Sequence, residues 1–174
     1  MNIKELTIAH IGLGRMGAGI ANNIQAAGCH FVVYNRSTEK MQPFVAAGAK
    51  AARTPREAAS EADIVVTSLM DDKSVFDVIS GEDGILAGMR GGAIHIGTTT
   101  ISPGASTRCS GLHAVQGSHY LSPPYWEDRA LPRQVSYSRS WPANRKSSTA
   151  HGRSWNAIRK TSLCSAKIPP RPQV

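Results

Sequence analysis

The sequence predicts an α/β fold in which a parallel sheet is covered by helices on both faces. Three observations lead there. Short apolar runs of strand length alternate with stretches of helical character up to about residue 124. The first of these runs ends in a glycine-rich turn that opens directly into a helical stretch. The runs are nearly continuous in their apolar residues, as strands buried on both faces are.

Leu6 to Ile11 is the first strand, stopping at glycine. Met16 to Ala27 has helical character, and Gly28 follows as a natural C-cap. Phe31 to Tyr34 is the second strand. Ser37 or Thr38 can cap the next helix, which runs to about Ala47 with Pro43 inside it and stops at Gly48. Thr54-Pro55 is an N-cap followed by proline at the first helical position, opening a helix to Ala62. Ile64 to Leu69 is a strand and Lys73 to Ile79 a helix. Gly81 to Gly91 is turn-rich with a short apolar segment, and Ala93 to Ile96 is another strand. Ser102-Pro103 starts a last helix, which Cys109-Ser110-Gly111 weakens. Crossovers between parallel strands are right-handed, so this order leaves little choice of topology.

The turn after the first strand is Gly12-Leu13-Gly14-Arg15-Met16-Gly17. Gly12 permits the sharp exit from the strand, Gly14 lets a pyrophosphate approach the backbone, and Gly17 lets the helix pack closely on the sheet. The N-terminus of the helix then offers free N–H groups and partial positive charge to phosphates. Placed between a strand and a helix, the motif implies a Rossmann-type dinucleotide-binding domain. At the end of the second strand an NAD site places a carboxylate for the ribose 2′-hydroxyl. Here the residues are Tyr34-Asn35-Arg36-Ser37, with Arg36 lying 19 positions past Gly17. Arg36 can pair with a 2′-phosphate, and Ser37 and Thr38 can donate to it. NADP is the expected cofactor, with NAD left open.

Charge and composition change near Tyr125. The chain carries a formal net charge of +8. Residues 1–124 hold ten basic and ten acidic side chains, so the whole imbalance lies in residues 125–174. That stretch is rich in Ser, Arg and Pro, with isolated Trp126, Trp141 and Trp155, and has no sustained period. It is expected to be a disordered tail beyond a cofactor domain of residues 1–124. The net charge therefore says nothing of what the folded part binds. Cys29, Cys109 and Cys164 show neither a disulfide framework nor a metal spacing. The six histidines show no metal spacing either. His10 and His95 fall on strands and read as packed or hydrogen-bonded rather than catalytic. The charged opening Met-Asn-Ile-Lys-Glu-Leu does not read as a secretory signal, and no apolar run reaches membrane-spanning length. A soluble, cytoplasmic protein is expected.

The chain resembles the β-hydroxyacid dehydrogenases, which include 3-hydroxyisobutyrate, tartronate semialdehyde and 6-phosphogluconate dehydrogenases, with the imine reductases nearby. The residues that carry the resemblance are Gly12 to Gly17, Tyr34-Asn-Arg-Ser-Thr38, Ala46-Ala-Gly-Ala49, Ala62-Asp-Ile-Val-Val66, Gly81-Glu-Asp-Gly84 and Thr99-Thr-Ile-Ser-Pro103. It spans roughly residues 6 to 124. The resemblance implies hydride transfer between a nicotinamide and a small hydroxyacid or related substrate. It also implies cofactor contacts at Leu69 and Met70 beside the ribose, at Ser74 flanking the same site, and at Thr100 near the nicotinamide. His119-Tyr-Leu-Ser-Pro-Pro124 resembles the start of the family's substrate motif, which would give Ser122 and Pro123 a substrate role. The pattern is then lost at Tyr125-Trp126-Glu127-Asp128. The family's catalytic lysine, in G-x-x-x-K-x-x-x-N, has no counterpart here, and Lys160 and Lys167 lie in the wrong context. No catalytic residue is assigned, and little or no turnover is expected of this chain alone.

Two readings of the tail follow. An abrupt change in the middle of a motif suggests that the chain leaves its original reading frame close to Tyr125, since Ser, Arg, Pro and Trp are what a GC-rich gene gives out of frame. The alternative is a basic arm on a non-catalytic Rossmann scaffold, with Trp and Arg contacting nucleic acid; its charges are scattered rather than clustered. The first reading expects another frame of the gene after Pro124 to encode a glycine- and alanine-containing continuation of the motif. Failure in both other frames, with a salt-sensitive nucleic-acid gel shift lost on deleting residues 125–174, reverses the choice.

Overall fold

The computed structural model describes residues 2–122, and residues 3–122 belong to one compact unit. Six parallel strands form one sheet: β1 Thr7–Ile11, β2 His30–Tyr34, β3 Lys50–Ala51, β4 Ile64–Thr67, β5 Ile94–Gly97 and β6 His119–Leu121. Their order is β3-β2-β1-β4-β5-β6. The chain winds outward from β1 to one edge, crosses back, and winds from β4 to the other. The order therefore reverses between β1 and β4, which pair from Ile8↔Ile64 to Ile11↔Thr67.

The helices are α1 Arg15–Ala26, α2 Gln42–Ala46, α3 Pro55–Ser60, α4 Asp72–Ile79, α5 Ile85–Gly88 and α6 Pro103–Val115. They divide between the two faces because side chains alternate across each strand. Ile8 with Phe31, Val33 and Val66 packs on Ala21 and Ile24 of α1 and Phe44 of α2. Ala9, Ile11, Val32 and Val65 pack on the opposite side, against Ala58 and Ala59 of α3, Val75 and Ile79 of α4, and Cys109 of α6. Gly17, Ala21 and Ile24 recur at helical spacing, so α1 presents one narrow buried stripe to the sheet. Its small residues let it lie close, which matters for the turn at its start.

Several elements differ from the sequence expectation, each for a local reason. The helix expected from Ser37 to Ala47 is a 3-10 turn, Thr38–Met41, followed by the short α2. Pro43 sits in the first turn of α2, where its missing N–H costs nothing. Ser37 stands at the N-cap position of the 3-10 turn, but its side chain makes no capping bond. β3 has only two residues, both exposed, and carries no apolar signature. The turn-rich stretch contains α5, a single turn anchored by the buried Ile85. β6 is three residues inside the stretch that looked like substrate motif. In α6, Ser102 caps by accepting from Ala105 N at 3.2 Å, and 13 residues of helix run on through Gly111.

Three buried histidines tie the strands together. His113 Nδ1 lies 2.8 Å from the carbonyl of Cys109, so it carries a proton and donates. His113 Nε2 then accepts from His95 Nδ1 at 3.0 Å, and His95 Nε2 accepts from the Thr67 hydroxyl at 2.9 Å. The relay is complete with both rings neutral. Tyr120 packs within 5.3 Å of both rings, and burial pushes its hydroxyl up to about 12. A second relay runs from Thr98, which donates to the Thr67 carbonyl at 2.8 Å. The Ser68 hydroxyl donates to Thr98 at 2.7 Å and so accepts from His10 Nε2 at 3.2 Å. Among the described residues His10 Nδ1 is left as a buried acceptor without a partner. His10 and His95 are thus both packed and hydrogen-bonded.

Burial lowers all three histidines, His10 from 6.5 to about 4. Below pH 6.5 the unfolded chain binds protons that the folded chain refuses, so stability falls as pH drops from about 6.5 toward 4. The His10 shift alone corresponds to about 3 kcal/mol. Urea melts at about pH 7 and about pH 4.5 should show this loss, and His10→Phe should reduce it. An equal loss in the variant removes His10 from the account.

A candidate dinucleotide site at the reversal point of the sheet

At the C-terminal ends of β1 and β4 three pieces of backbone come into contact distance. Gly12 has φ +99°, and a Cβ there would lie 2.2 Å from the Ser68 carbonyl oxygen. A Cβ on Gly17 would lie 2.0 Å from the carbonyl oxygen of Gly12. Both positions thus exclude every residue but glycine, one by conformation and contact, the other by contact alone. Gly14 is different: a Cβ there would meet no protein atom within 4 Å. The space above Gly14 is open, and a side chain would project into it.

α1 begins in that space. Its N-cap is Gly14, no side chain caps it, and no acidic residue lies in its first turn. The first-turn N–H groups of a helix have no partner within the helix and carry partial positive charge. Arg15 and Met16 are exposed beside them. Leu13 turns the other way, its side chain 4% exposed in the core. Its N–H donates to Asn35 Oδ1 at 2.8 Å, and Asn35 Nδ2 donates to the Ser37 carbonyl at 3.0 Å. Asn35 therefore braces the glycine turn against the end of β2.

Past β2 the chain opens on a cavity of about 720 Å³. Tyr34, Arg36, Thr38 and Arg53 supply its polar wall, and Met41 and Val45 are among its apolar residues. Arg36 and Ser37 are both exposed. None of the described residues lining the cavity is acidic.

On the other side of the reversal point, Leu69 packs partly against the core and its N–H donates to Thr99 Oγ1 at 2.8 Å. Met70 is 91% exposed. Ser74 is engaged locally: its hydroxyl accepts from Met70 N and Asp71 N, while Asp71 Oδ1 accepts from Ser74 N at 2.8 Å. This reciprocal cap holds Asp71 below its ordinary pKa, chiefly through the Ser74 backbone bond. Asp72 reaches across to the next loop, accepting from Ser102 N at 2.9 Å and Ser102 Oγ at 2.6 Å. That tie fixes the loop on which Thr100 stands exposed. Ile96 pairs with Leu121, so Ser122 follows at the same end of the sheet, half-buried. Pro123 and the residues beyond it, including the expected domain boundary and tail, lie outside the described residues.

The expected residues thus lie at successive strand ends along one side of the sheet. Gly12–Gly17 lies at β1, Asn35–Ser37 at β2, Leu69, Met70 and Ser74 after β4, Thr100 after β5 and Ser122 after β6. Arg53, Ser68, Asp72 and Thr99 were not anticipated. Arg53 follows a strand too short to read, and the others work through pairings between loops far apart in sequence. Among the described residues no group of three metal-ligating side chains occurs, and no helix is long and apolar enough to cross a membrane.

Residues 7–125 match the family model of the NAD binding domain of 6-phosphogluconate dehydrogenase. The uncharacterized oxidoreductase YfjR of Bacillus subtilis is 48% identical over 119 residues, covering 68% of this chain and 42% of that protein. The 3-hydroxyisobutyrate dehydrogenase of Mycobacterium tuberculosis, solved with L-serine, superposes with a TM-score of 0.62 at 29% identity. It covers 68% of this chain and 40% of its own. Psf3, solved with NADP+ and 2-OPP, has a TM-score of 0.62 at 29% identity, covering 65% of this chain and 40% of that one. The chain spans less than half the length of each of these relatives.

Proposed function

The chain belongs to the family of NAD-binding domains of 6-phosphogluconate dehydrogenase, and on that premise we propose that it binds NADP in preference to NAD, as the cofactor half of a hydroxyacid dehydrogenase-like oxidoreductase. The observation that carries the preference is the end of β2. An exposed Arg36 lines an open cavity there, and no carboxylate stands among the described lining residues to repel a 2′-phosphate or hold a 2′-hydroxyl.

The residues present fit such a group. The open space over Gly14 and the uncapped first turn of α1 suit the pyrophosphate. Arg36, with the Ser37 and Thr38 hydroxyls, suits a 2′-phosphate. Leu69 and Met70 bound the path toward Thr100, which stands at the end where a nicotinamide would lie. NADP, when bound, supplies hydride exchange at C4 of its nicotinamide. The chain's own part is to bind and orient it. Asn35 holds the glycine turn and the end of β2 in fixed relation, and Asp72 and Thr99 hold the loops after β4 and β5.

No side chain of these 174 residues occupies the lysine motif that the family resemblance associates with proton transfer. These residues therefore bind the cofactor and do not turn over substrate by themselves in this reading. Ser122 and Pro123 take a substrate-binding role in this reading.

Titration of the purified chain with NADPH and NADH, followed by calorimetry, tests the assignment. NADPH should bind more tightly, and Arg36→Ala should weaken NADPH by about tenfold or more while leaving NADH unchanged. Equal affinities in the unsubstituted chain refute the NADP preference. NADPH-dependent reduction of a small carbonyl acid by this chain refutes the division of labour.

A further inference from the structure

Arg53 stands at the same edge of the sheet as Arg36, and the register shows why. β2 and β3 pair with Val32↔Lys50 and Val33↔Ala51, and Ala52 N continues the ladder by donating to the Val33 carbonyl at 2.9 Å. Two residues further along each strand, Asn35 and Arg53 become neighbours, with adjacent strands about 5 Å apart. Arg36 is the next residue past Asn35. The side chains of Arg36 and Arg53 both line the 720 Å³ cavity.

The direction in which Arg53 leaves the chain is fixed by its neighbours. Its backbone N–H donates to Glu57 Oε2 at 2.8 Å, and Thr54 caps α3 by accepting from Glu57 N at 3.1 Å. Glu57 thus engages the backbone of Arg53 and not its guanidinium. Among the described residues Lys50, Lys73 and Arg90 are each held by a carboxylate, whereas Arg36 and Arg53 enter no ion pair. Two exposed arginines among the residues lining one cavity, with no acidic residue among its described lining residues, suit a dianion. Met41, Val45 and Ala46 add an apolar surface, which suits a group carrying a flat ring beside its phosphate.

We propose that Arg53 is a second guanidinium of the 2′-phosphate subsite, sharing with Arg36 the recognition of the phosphorylated adenosine end of NADP. This rests on the NADP reading above and extends it to a residue on a different strand. A phosphate monoester carries close to two charges and three acceptor oxygens, more than one arginine fork can satisfy. Arginine is favoured over lysine there because the planar fork binds two oxygens at once.

The test uses the full chain and three probes: NADPH, NADH and adenosine 2′,5′-bisphosphate. Arg53→Ala should weaken NADPH and the bisphosphate by about tenfold and leave NADH unchanged. Arg53→Lys should recover part of the loss. Because Arg53 is exposed and its hydrogen bond to Glu57 runs through the backbone N–H, thermal melts of Arg53→Ala and Arg53→Gln should match the unsubstituted chain. If Arg53→Ala binds NADPH normally while Arg36→Ala does not, this inference falls and the NADP reading stands. Equal binding of NADPH and NADH by the unsubstituted chain overturns both. Parallel losses for NADPH and NADH in Arg53→Ala assign the residue a structural role and overturn the inference.

Discussion

The backbone of Gly12 runs so close to the Ser68 carbonyl, and that of Gly17 so close to Gly12, that no side chain fits at either point. This approach is the condition for the rest of the site. It brings the start of α1 directly over the gap between β1 and β4, where the sheet reverses its winding. It also requires a helix whose sheet-facing stripe is small, and Gly17 and Ala21 meet that requirement. Open backbone N–H groups, open space over Gly14 and a helix dipole directed at that space all follow from the same contact. The hydrogen-bonded relay through His10, Ser68, Thr98 and Thr67 lies under the turn and holds the three central strand ends together.

The two halves of the proposed cofactor site are joined by one side chain. Asn35 accepts from Leu13 in the glycine turn and donates to Ser37 at the end of β2. Asn35 thus ties the glycine turn to the end of β2. On the other side Asp72 and Thr99 do the corresponding work for the loops that carry Met70 and Thr100. Preorganisation of this kind lowers what binding must spend on ordering loops.

Much of this was legible from the residues, because glycine spacing and apolar periodicity act over a few positions. The turn at Gly12–Gly17, the cap at Thr54-Pro55 and the helix start at Ser102-Pro103 are local signals, and each stands where its chemistry put it. β3 and β6 were not legible. Lys50–Ala51 is two exposed residues that become a strand only because β2 lies alongside, and His119–Leu121 likewise depends on β5. Arg53 was hidden with β3, since its position is meaningful only once the register is known. Asn35 stands beside Arg36 at the end of the second strand, and its bond to Leu13 is a structural task that no spacing rule reveals. His113 shows the same limit. It looked like one of six scattered histidines, yet it completes a relay with His95 across 18 residues of sequence.

The claim that the start of α1 is a pyrophosphate cradle is tested most directly by amide chemical shifts. Nitrogen-15 spectra of the full chain, recorded as NADPH is added, should show the largest changes at Gly14, Arg15, Met16 and Gly17. Amides at the opposite end of the strands, such as those of Lys4 and Asp63, should stay in place. Saturable changes centred anywhere else, or none around Gly14 while the domain remains folded, would contradict the account.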